Sequence, residues 1–176
     1  MAIAQSTQTH PITLPVGNWQ IVPADSELGF ATRILFGLIP VRGRYSGYSG
    51  VLDVDEAGNA SGALRIEVAT ISTGIKKRDA HLRSGDFFAA HEHPHMRFEL
   101  LALVPNEDGS QTLSGTLRIR DEVLPIHTPV SVSTVGPDRL RIDADLEVDH
   151  SASNLGWKRV PSPVRVQAAL TLERVS

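Results

Sequence analysis

The sequence predicts an all-β protein, a single eight-stranded antiparallel barrel with a short helical insertion at about residues 73–90. Apolar and polar residues alternate with period two in about eight segments, short turns join these segments, and one charged stretch interrupts the pattern. Each segment therefore has one buried face and one solvated face. A barrel is favoured because closure covers the edges that a flat sheet of this size would expose. A two-sheet sandwich is the structural competitor.

The chain before the insertion begins with a polar arm and continues as extended segments. Residues 1–17 are polar, contain two prolines and are expected to form a mobile arm, so the barrel domain is placed at residues 18–176. Residues 23–26 have the composition of a turn between two strands. Residues 41–54 resemble a strand but contain three glycines. Glycines inside a strand mark the bulges and bends that curl a sheet into a barrel.

Five further segments follow the insertion with the clearest alternation in the chain. They are separated by turns rich in Gly, Pro, Asn and Asp. The segments span residues 96–100, 113–119, 124–132, 140–148 and 164–172. None of them carries a titratable residue on its apolar face, so the interior that they enclose is predicted to be apolar.

The composition excludes several classes of function. The formal net charge is −3, which gives no indication of a nucleic-acid-binding surface. The chain contains no cysteine, which excludes disulfides and thiolate metal sites. The sequence shows no signal-peptide pattern and no apolar run of the roughly 20 residues that a membrane span needs. We therefore expect a cytoplasmic protein.

Residues 72–98 are the stretch that lacks strand alternation. Polar turn residues open a short charged helix, and Gly85 stands where a left-handed residue commonly follows a helix. Arg78 and Asp79 are predicted to form an ion pair or a capping pair that holds this helix in place.

Two adjacent phenylalanines, Phe87 and Phe88, end the insertion, and at least one of them must be buried. They act either as a cap over a tunnel or as a plug in the core. The interior of an eight-stranded barrel is filled by side chains or holds one small ligand. The inward residues are mostly Leu, Ile, Val and Ala, and aromatic residues make up only 5% of the chain. Such walls suit an elongated apolar ligand, at about 25 cal/mol per Å² buried, but a dry core explains the alternation equally well.

The insertion carries a distinctive block of residues, and four further groups of residues, called landmarks here, lie before and after it along the chain. The block comprises Thr73-Gly74, Arg78-Asp79, His81-Leu82-Arg83-Ser84, Asp86-Phe87-Phe88, Pro94 and Phe98. The landmarks are Trp19 with Asp25-Ser26 and Phe30, Val41-Arg42-Gly43-Arg44-Tyr45 with Gly50, Leu113-Ser114-Gly115-Thr116-Leu117-Arg118-Ile119, and Ser153-Asn154-Leu155-Gly156-Trp157. Together they resemble the YceI-like, polyisoprenoid-binding family over nearly all of residues 18–173.

The resemblance implies a lipocalin-like barrel that holds a long-chain isoprenoid or similar lipid as a carrier, store or sequestering protein, often as a homodimer. Many members of this family are exported. The chain departs from the family pattern at Asp25 and at Leu35 or Phe36, where a histidine is frequent. It also departs at His150 or Ser151, where an arginine is usual. No catalytic residue, metal or cofactor is predicted, apart from a bound polyisoprenoid or fatty-acid-like lipid.

The predicted ligand contacts combine inward strand residues with aromatic residues of the insertion and of the loop at residues 153–157. They are Phe30, Ile34, Tyr45, Leu64, Ile66, Val68, Phe87, Phe88, Met96, Phe98, Leu117, Ile119, Ile126, Val130, Ile142, Leu146, Trp157, Val166 and Leu170.

Two other functions are weighed against ligand binding. The first is an enzyme that acts on an apolar substrate in the same cavity, with His81 or His150 as the acid–base group. The second is a metal-binding site, because closely spaced histidines can ligate zinc. That site would use His81, His91, His93 and His95.

Overall fold

The computed structural model describes residues 13–157 and 160–176, and within these ranges it contains eleven β-strands and one α-helix. The all-β prediction is confirmed. The strands are β1 (Gly17–Ile21), β2 (Glu27–Ile34), β3 (Ile39–Tyr45), β4 (Tyr48–Val54), β5 (Ala60–Glu67), β6 (Ile71–Ser72), β7 (His95–Pro105), β8 (Gln111–Ile119), β9 (Glu122–Gly136), β10 (Arg139–Val148) and β11 (Val164–Val175). The helix α1 spans Lys76–Arg83.

Eight strand positions close the barrel, as predicted. Strands β1, β4, β5, β7, β8, β9, β10 and β11 pair in this order, and β11 pairs back with β1 through Asn18↔Val175 to Ile21↔Leu172. Every pairing is antiparallel. Strand β2 pairs with the part of β11 that β1 does not reach, and β3 pairs with β2, so these two strands extend the barrel wall beyond β1 and β4. The eleven strands are therefore consistent with the eight predicted from the sequence.

Two breaks divide the first long strands. A 3-10 turn at Pro23–Asp25 separates β1 from β2, where the sequence predicts a turn. Ser46 and Gly47 separate β3 from β4, and the Gly47 N–H donates a 3.0 Å hydrogen bond to Thr70 Oγ1 instead of extending a strand ladder. The bend predicted from the glycines of residues 41–54 is therefore present.

At one end of the barrel, side chains fill the interior. Trp19, Val54 and Leu140 are almost completely buried there. Leu14 is buried in the same core, so part of the predicted N-terminal arm packs on the barrel. Residues 1–12 of that arm lie outside the described residues.

The other end is open. Strand β9 pairs with β10 only between Ser131↔Asp143 and Gly136↔Arg139, so the first half of β9 and the second half of β10 form no ladder with each other. The β2–β3 hairpin, the insertion that carries α1, and the loop between β10 and β11 lie at this end. These three segments surround the entrance to the barrel interior.

The helix does not end as predicted. Its C-cap is Ser84, which has an extended backbone and whose N–H donates to the His81 carbonyl. Gly85 is not left-handed; the residue with positive φ is Ala89, at 49°. The chain leaves the helix through successive turns, in which the Phe88 N–H donates to Leu82 O at 3.0 Å. These turns satisfy the terminal carbonyls, so a left-handed glycine directly after the helix is not needed.

Candidate ligand-binding cavity

The open end of the barrel encloses a cavity of about 890 Å³ with mostly apolar walls. This volume lies within the range of about 300–1,000 Å³ typical of small-molecule sites. Seventeen of the nineteen predicted contact residues line it, although their contact with a ligand stays a prediction. They are Phe30, Ile34, Tyr45, Leu64, Ile66, Phe87, Phe88, Met96, Phe98, Leu117, Ile119, Ile126, Ile142, Leu146, Trp157, Val166 and Leu170.

Two predicted contact residues, Val68 and Val130, are buried but do not line the cavity. Strand β5 ends at Glu67 and Val68 begins a 3-10 turn, so the period-two phase no longer applies to it. Val130 pairs with Gln111 at the start of β8, toward the packed end of the barrel. It therefore belongs to the core below the cavity.

The cavity wall also contains residues outside the predicted ligand contacts, among them His81 and His150, which the sequence indicated only as acid–base candidates. Leu28, Leu113 and Ala168 continue the alternation of their strands, so the same period-two pattern could have found them. Others lie in the hairpin, the insertion and the loop after β10, where no periodic signal exists. The additional wall residues on strands include Thr32, Thr128, Ala144, Val148 and Val164, and those outside the strands include Leu35, Phe36, Arg78, His81, Leu82, His150, Val160 and Pro161.

A row of aromatic rings crosses the entrance. Phe30 lies 5.8 Å from Tyr45, and Tyr45 lies 6.4 Å from Phe88, measured between ring centroids. Phe88 packs on Trp157 at 5.0 Å, and Trp157 packs on His150 at 5.3 Å. Burial raises the pKa of the Tyr45 phenol, which therefore stays neutral and adds no charge to the cavity. Phe88 thus forms the middle of an aromatic plug that joins the strands to the loop.

The backbone of the insertion is fixed through the Phe87 carbonyl. Trp157 Nε1 and Arg120 Nη1 each donate a 3.2 Å hydrogen bond to this oxygen. The Phe87 ring packs edge-on against His81, with a centroid distance of 5.0 Å. Both predicted phenylalanines line the cavity, Phe88 between strand and loop aromatics and Phe87 beside the helix.

Arg78 and Asp79 hold the start of the helix through Thr73 and not through each other. The buried Asp79 carboxylate accepts hydrogen bonds from Thr73 N at 2.8 Å and Thr73 Oγ1 at 2.5 Å. Arg78 Nε donates to Thr73 Oγ1 at 2.8 Å. The predicted ion pair is absent from the ion pairs of the described residues. The capping role predicted for these residues is present, with Thr73 as the shared partner.

Titratable side chains reach the cavity mainly from the insertion and the loop. The wall residues contributed by β7 to β11 include none, as the alternation predicts. Arg78 and His81 come from α1, and His150 follows β10. His150 is buried and its Nε2 has no hydrogen-bond partner among the described residues. No carboxylate or hydroxyl of the described residues therefore orients the His150 ring through Nε2.

The histidines of the insertion contact different partners. His81 Nε2 lies 3.1 Å from Asp86 Oδ2, and His93 Nε2 lies 3.9 Å from Asp121 Oδ2. His95 shares hydrogen bonds with Arg65. In residues 13–157 and 160–176, no group of three or more His, Asp or Glu side chains is placed to hold a metal ion.

A closed antiparallel barrel with an apolar cavity beneath a short helix defines the class of lipocalin-like β-barrels. Within this class, the chain belongs to the YceI-like domain family, whose model matches residues 19–174. The match confirms the family that the sequence motifs indicate.

A UPF0312 protein of Vibrio parahaemolyticus serotype O3:K6 is 28% identical over 100 residues, which cover 56% of this chain and 53% of that protein. The chain thus spans about half the length of the curated relatives it matches. No helix of the described residues is long and apolar enough to cross a membrane.

Two solved structures share the fold. BcnA of Burkholderia cenocepacia is 24% identical, with a TM-score of 0.76 over 86% of this chain and 98% of that chain. A polyisoprenoid binding domain from Saccharophagus degradans, implicated in plant cell wall breakdown, is 16% identical, with a TM-score of 0.70 over 89% and 98% of the two chains.

Proposed function

We propose that this protein binds a long-chain apolar ligand, a polyisoprenoid or similar lipid, inside its barrel and acts as a carrier, store or sequestering protein. The observation that carries the proposal is the 890 Å³ cavity, whose strand walls are built mainly from aliphatic and aromatic side chains. A protein interior is normally close-packed, and a large cavity is a cost unless a ligand fills it. The polyisoprenoid binding domain that shares the fold supports this choice of ligand class.

The test is ligand recovery from protein purified under native conditions, by native mass spectrometry and solvent extraction. We expect a long-chain apolar compound at about one per chain, because the barrel has one such cavity among the described residues. If the purified protein carries no such compound and the lipid-stripped protein binds no polyprenol or fatty acid, the proposal is wrong.

A matched pair of variants links the ligand to the cavity. Ala168 lies on the cavity wall, and its neighbour Gln167 is exposed on the outer face of β11. Ala168→Phe places an aromatic ring inside the cavity and is expected to reduce the recovered ligand severalfold. Gln167→Phe places the same ring outside and should retain the ligand. Equal loss in both variants would contradict binding inside the barrel.

The enzyme alternative is separated from binding by one further measurement. His81 and His150 are the titratable wall residues that it would use. The recovered ligand is incubated with the wild-type protein and with a variant in which both histidines are alanine. Binding alone predicts an unchanged ligand mass in both samples. Conversion of the ligand by the wild-type protein, lost in the double variant, would establish the enzyme.

The homodimer implied by the family resemblance stays a prediction, which sedimentation velocity tests.

A further inference from the structure

The tip of the β2–β3 hairpin exposes large apolar side chains at the entrance to the cavity. Phe36 is fully exposed, Leu38 is 79% exposed and Leu35 is 59% exposed. Leu35 and Phe36 also line the cavity, so the apolar surface runs from the interior to the outside of the barrel without interruption. Clusters of exposed apolar side chains mark interaction sites.

The backbone of this tip is strained by the residues that it carries. Leu35, Phe36 and Gly37 have consecutive positive φ angles of 50°, 56° and 83°. Such turns favour Asn and Gly, because a bulky side chain raises the energy of a left-handed backbone. Leu and Phe at these two positions therefore reduce stability through the backbone, and their exposed side chains gain little from burial in return. Strained residues of this kind cluster at functional sites, so the strain at Leu35 and Phe36 indicates a functional role for the hairpin tip.

The outer face of the same hairpin is basic. Arg33 and Arg42 lie on it close to the tip and Arg44 lies further along, because Thr32, Val41 and Tyr45 point into the cavity. Residues 28–45 contain no Asp or Glu. None of the three arginines forms an ion pair within the described ranges, although the whole chain has a net charge of −3. Positive charge is thus concentrated beside the exposed apolar tip.

An exposed apolar tip beside arginines that are unpaired among the described residues fits the surface of an anionic lipid bilayer. Apolar side chains enter the headgroup–acyl boundary to about 5–10 Å, and nearby Lys and Arg side chains contact the lipid phosphates. A symmetric contact between the hairpins of two copies of the chain would bring like-charged arginines together and is disfavoured. We infer that the β2–β3 hairpin docks on an anionic phospholipid membrane by inserting Leu35, Phe36 and Leu38. This docking holds the open end of the barrel against the bilayer.

The test is co-sedimentation of the full chain with vesicles of equal parts phosphatidylglycerol and phosphatidylcholine, and with vesicles of phosphatidylcholine alone. We expect binding to the anionic vesicles that weakens in high salt, because the arginine contacts are screened. Leu35→Asn with Phe36→Gly supplies the residues that a left-handed turn favours and removes the apolar tip. This variant should fold at least as stably as the wild type and lose at least about tenfold in vesicle affinity.

Two further variants separate the apolar and the charge contributions. Leu38→Asn, which lies outside the cavity wall, should weaken vesicle binding by about threefold or more without changing the bound ligand. Arg42→Gln with Arg44→Gln should reduce the preference for anionic vesicles. As a matched control, Leu101→Asn with Val135→Thr removes two exposed apolar side chains of the described surface away from the hairpin and should bind like the wild type.

Three outcomes would overturn the inference. They are failure of the wild-type chain to sediment with anionic vesicles, equal binding by the Leu35→Asn/Phe36→Gly variant, or self-association of the wild type that this variant abolishes in the absence of lipid. The last outcome would make the hairpin a contact between copies of the chain. None of these outcomes affects ligand recovery from the cavity, so the membrane inference and the proposed function fail separately.

Discussion

The ring of Phe30 lies directly against Gly43, the residue paired with it across the β2–β3 ladder. A Cβ atom built on Gly43 would lie 2.3 Å from Phe30 Cζ, well inside any tolerable contact. The missing side chain thus lets the aromatic ring lie flat on the neighbouring strand. Gly43 therefore sets how much of the cavity Phe30 leaves free.

Gly43→Ala is expected to push the Phe30 ring into the cavity, since the ring can rotate and the strand cannot move. The cavity then shrinks, and the recovered ligand should become shorter or scarcer, as measured by native mass spectrometry. The strain should also lower the free energy of unfolding by about 1–3 kcal/mol. Gly85→Ala is the control, because nothing lies within 4 Å of a Cβ at that position. Retention of the full ligand by Gly43→Ala would contradict this role of Phe30.

The hydrogen bond from Trp157 to the Phe87 carbonyl is expected to slow ligand release. Trp157→Phe keeps an aromatic ring beside Phe88 but removes the 3.2 Å bond between loop and insertion. Loss of one hydrogen bond of about 0.5–1.5 kcal/mol corresponds to a rise of roughly two- to tenfold in the ligand dissociation rate. The rate is measured by competition with unlabelled lipid.

Trp19 provides a control for this prediction at the packed end. Its Nε1 donates a similar 3.3 Å bond to the Pro15 carbonyl. Trp19→Phe should therefore lower stability and leave the ligand dissociation rate unchanged. If both variants release ligand at the same increased rate, Trp157 has no specific role at the entrance.

Strand alternation predicted the strands and most of the interior residues, but it was compatible with both a barrel and a two-sheet sandwich. A residue such as Leu117 or Ile142 is placed by the period-two pattern alone, because its strand neighbours fix which face is buried. The pattern failed at Val68, where β5 gives way to a turn, and it could not detect His150 in the loop after β10. The exposed hairpin tip was also missed, since left-handed backbone at Leu35 and Phe36 contradicts local preference and arises from the closing geometry of the hairpin.

His150 is expected to reduce the stability of the protein. Its buried Nε2 lacks a hydrogen-bond partner among the described residues, and such an atom costs about 1–3 kcal/mol. His150→Leu removes the polar atom and keeps an apolar contact with Trp157, so the free energy of unfolding should rise by about 1 kcal/mol, measured in urea. His127→Leu is the control, because His127 is exposed and hydrogen-bonded to Ser114, and it should give no such gain. A loss of stability in His150→Leu would contradict the prediction.

The loop that carries Trp157 is expected to loosen in acid before the barrel unfolds. Hydrogen bonds from the Ser151 and Ser162 hydroxyls and the Ser151 backbone N–H lower the pKa of Asp149 to about 2. Ser162 in turn accepts a 3.0 Å hydrogen bond from His150 N, so Asp149 links the end of β10 to the residues that precede β11.

Because the folded pKa of Asp149 lies below the unfolded value of about 3.9, its stabilising effect is complete above about pH 5 and is lost as the pH falls through 4 toward 2. The indole N–H resonance of Trp157 should therefore shift within this window, while that of Trp19 stays fixed. In Asp149→Asn the carboxylate is absent, so the Trp157 resonance should already be displaced at neutral pH and should not respond between pH 4 and 2. The same acid response in wild type and variant would show that another group controls the loop.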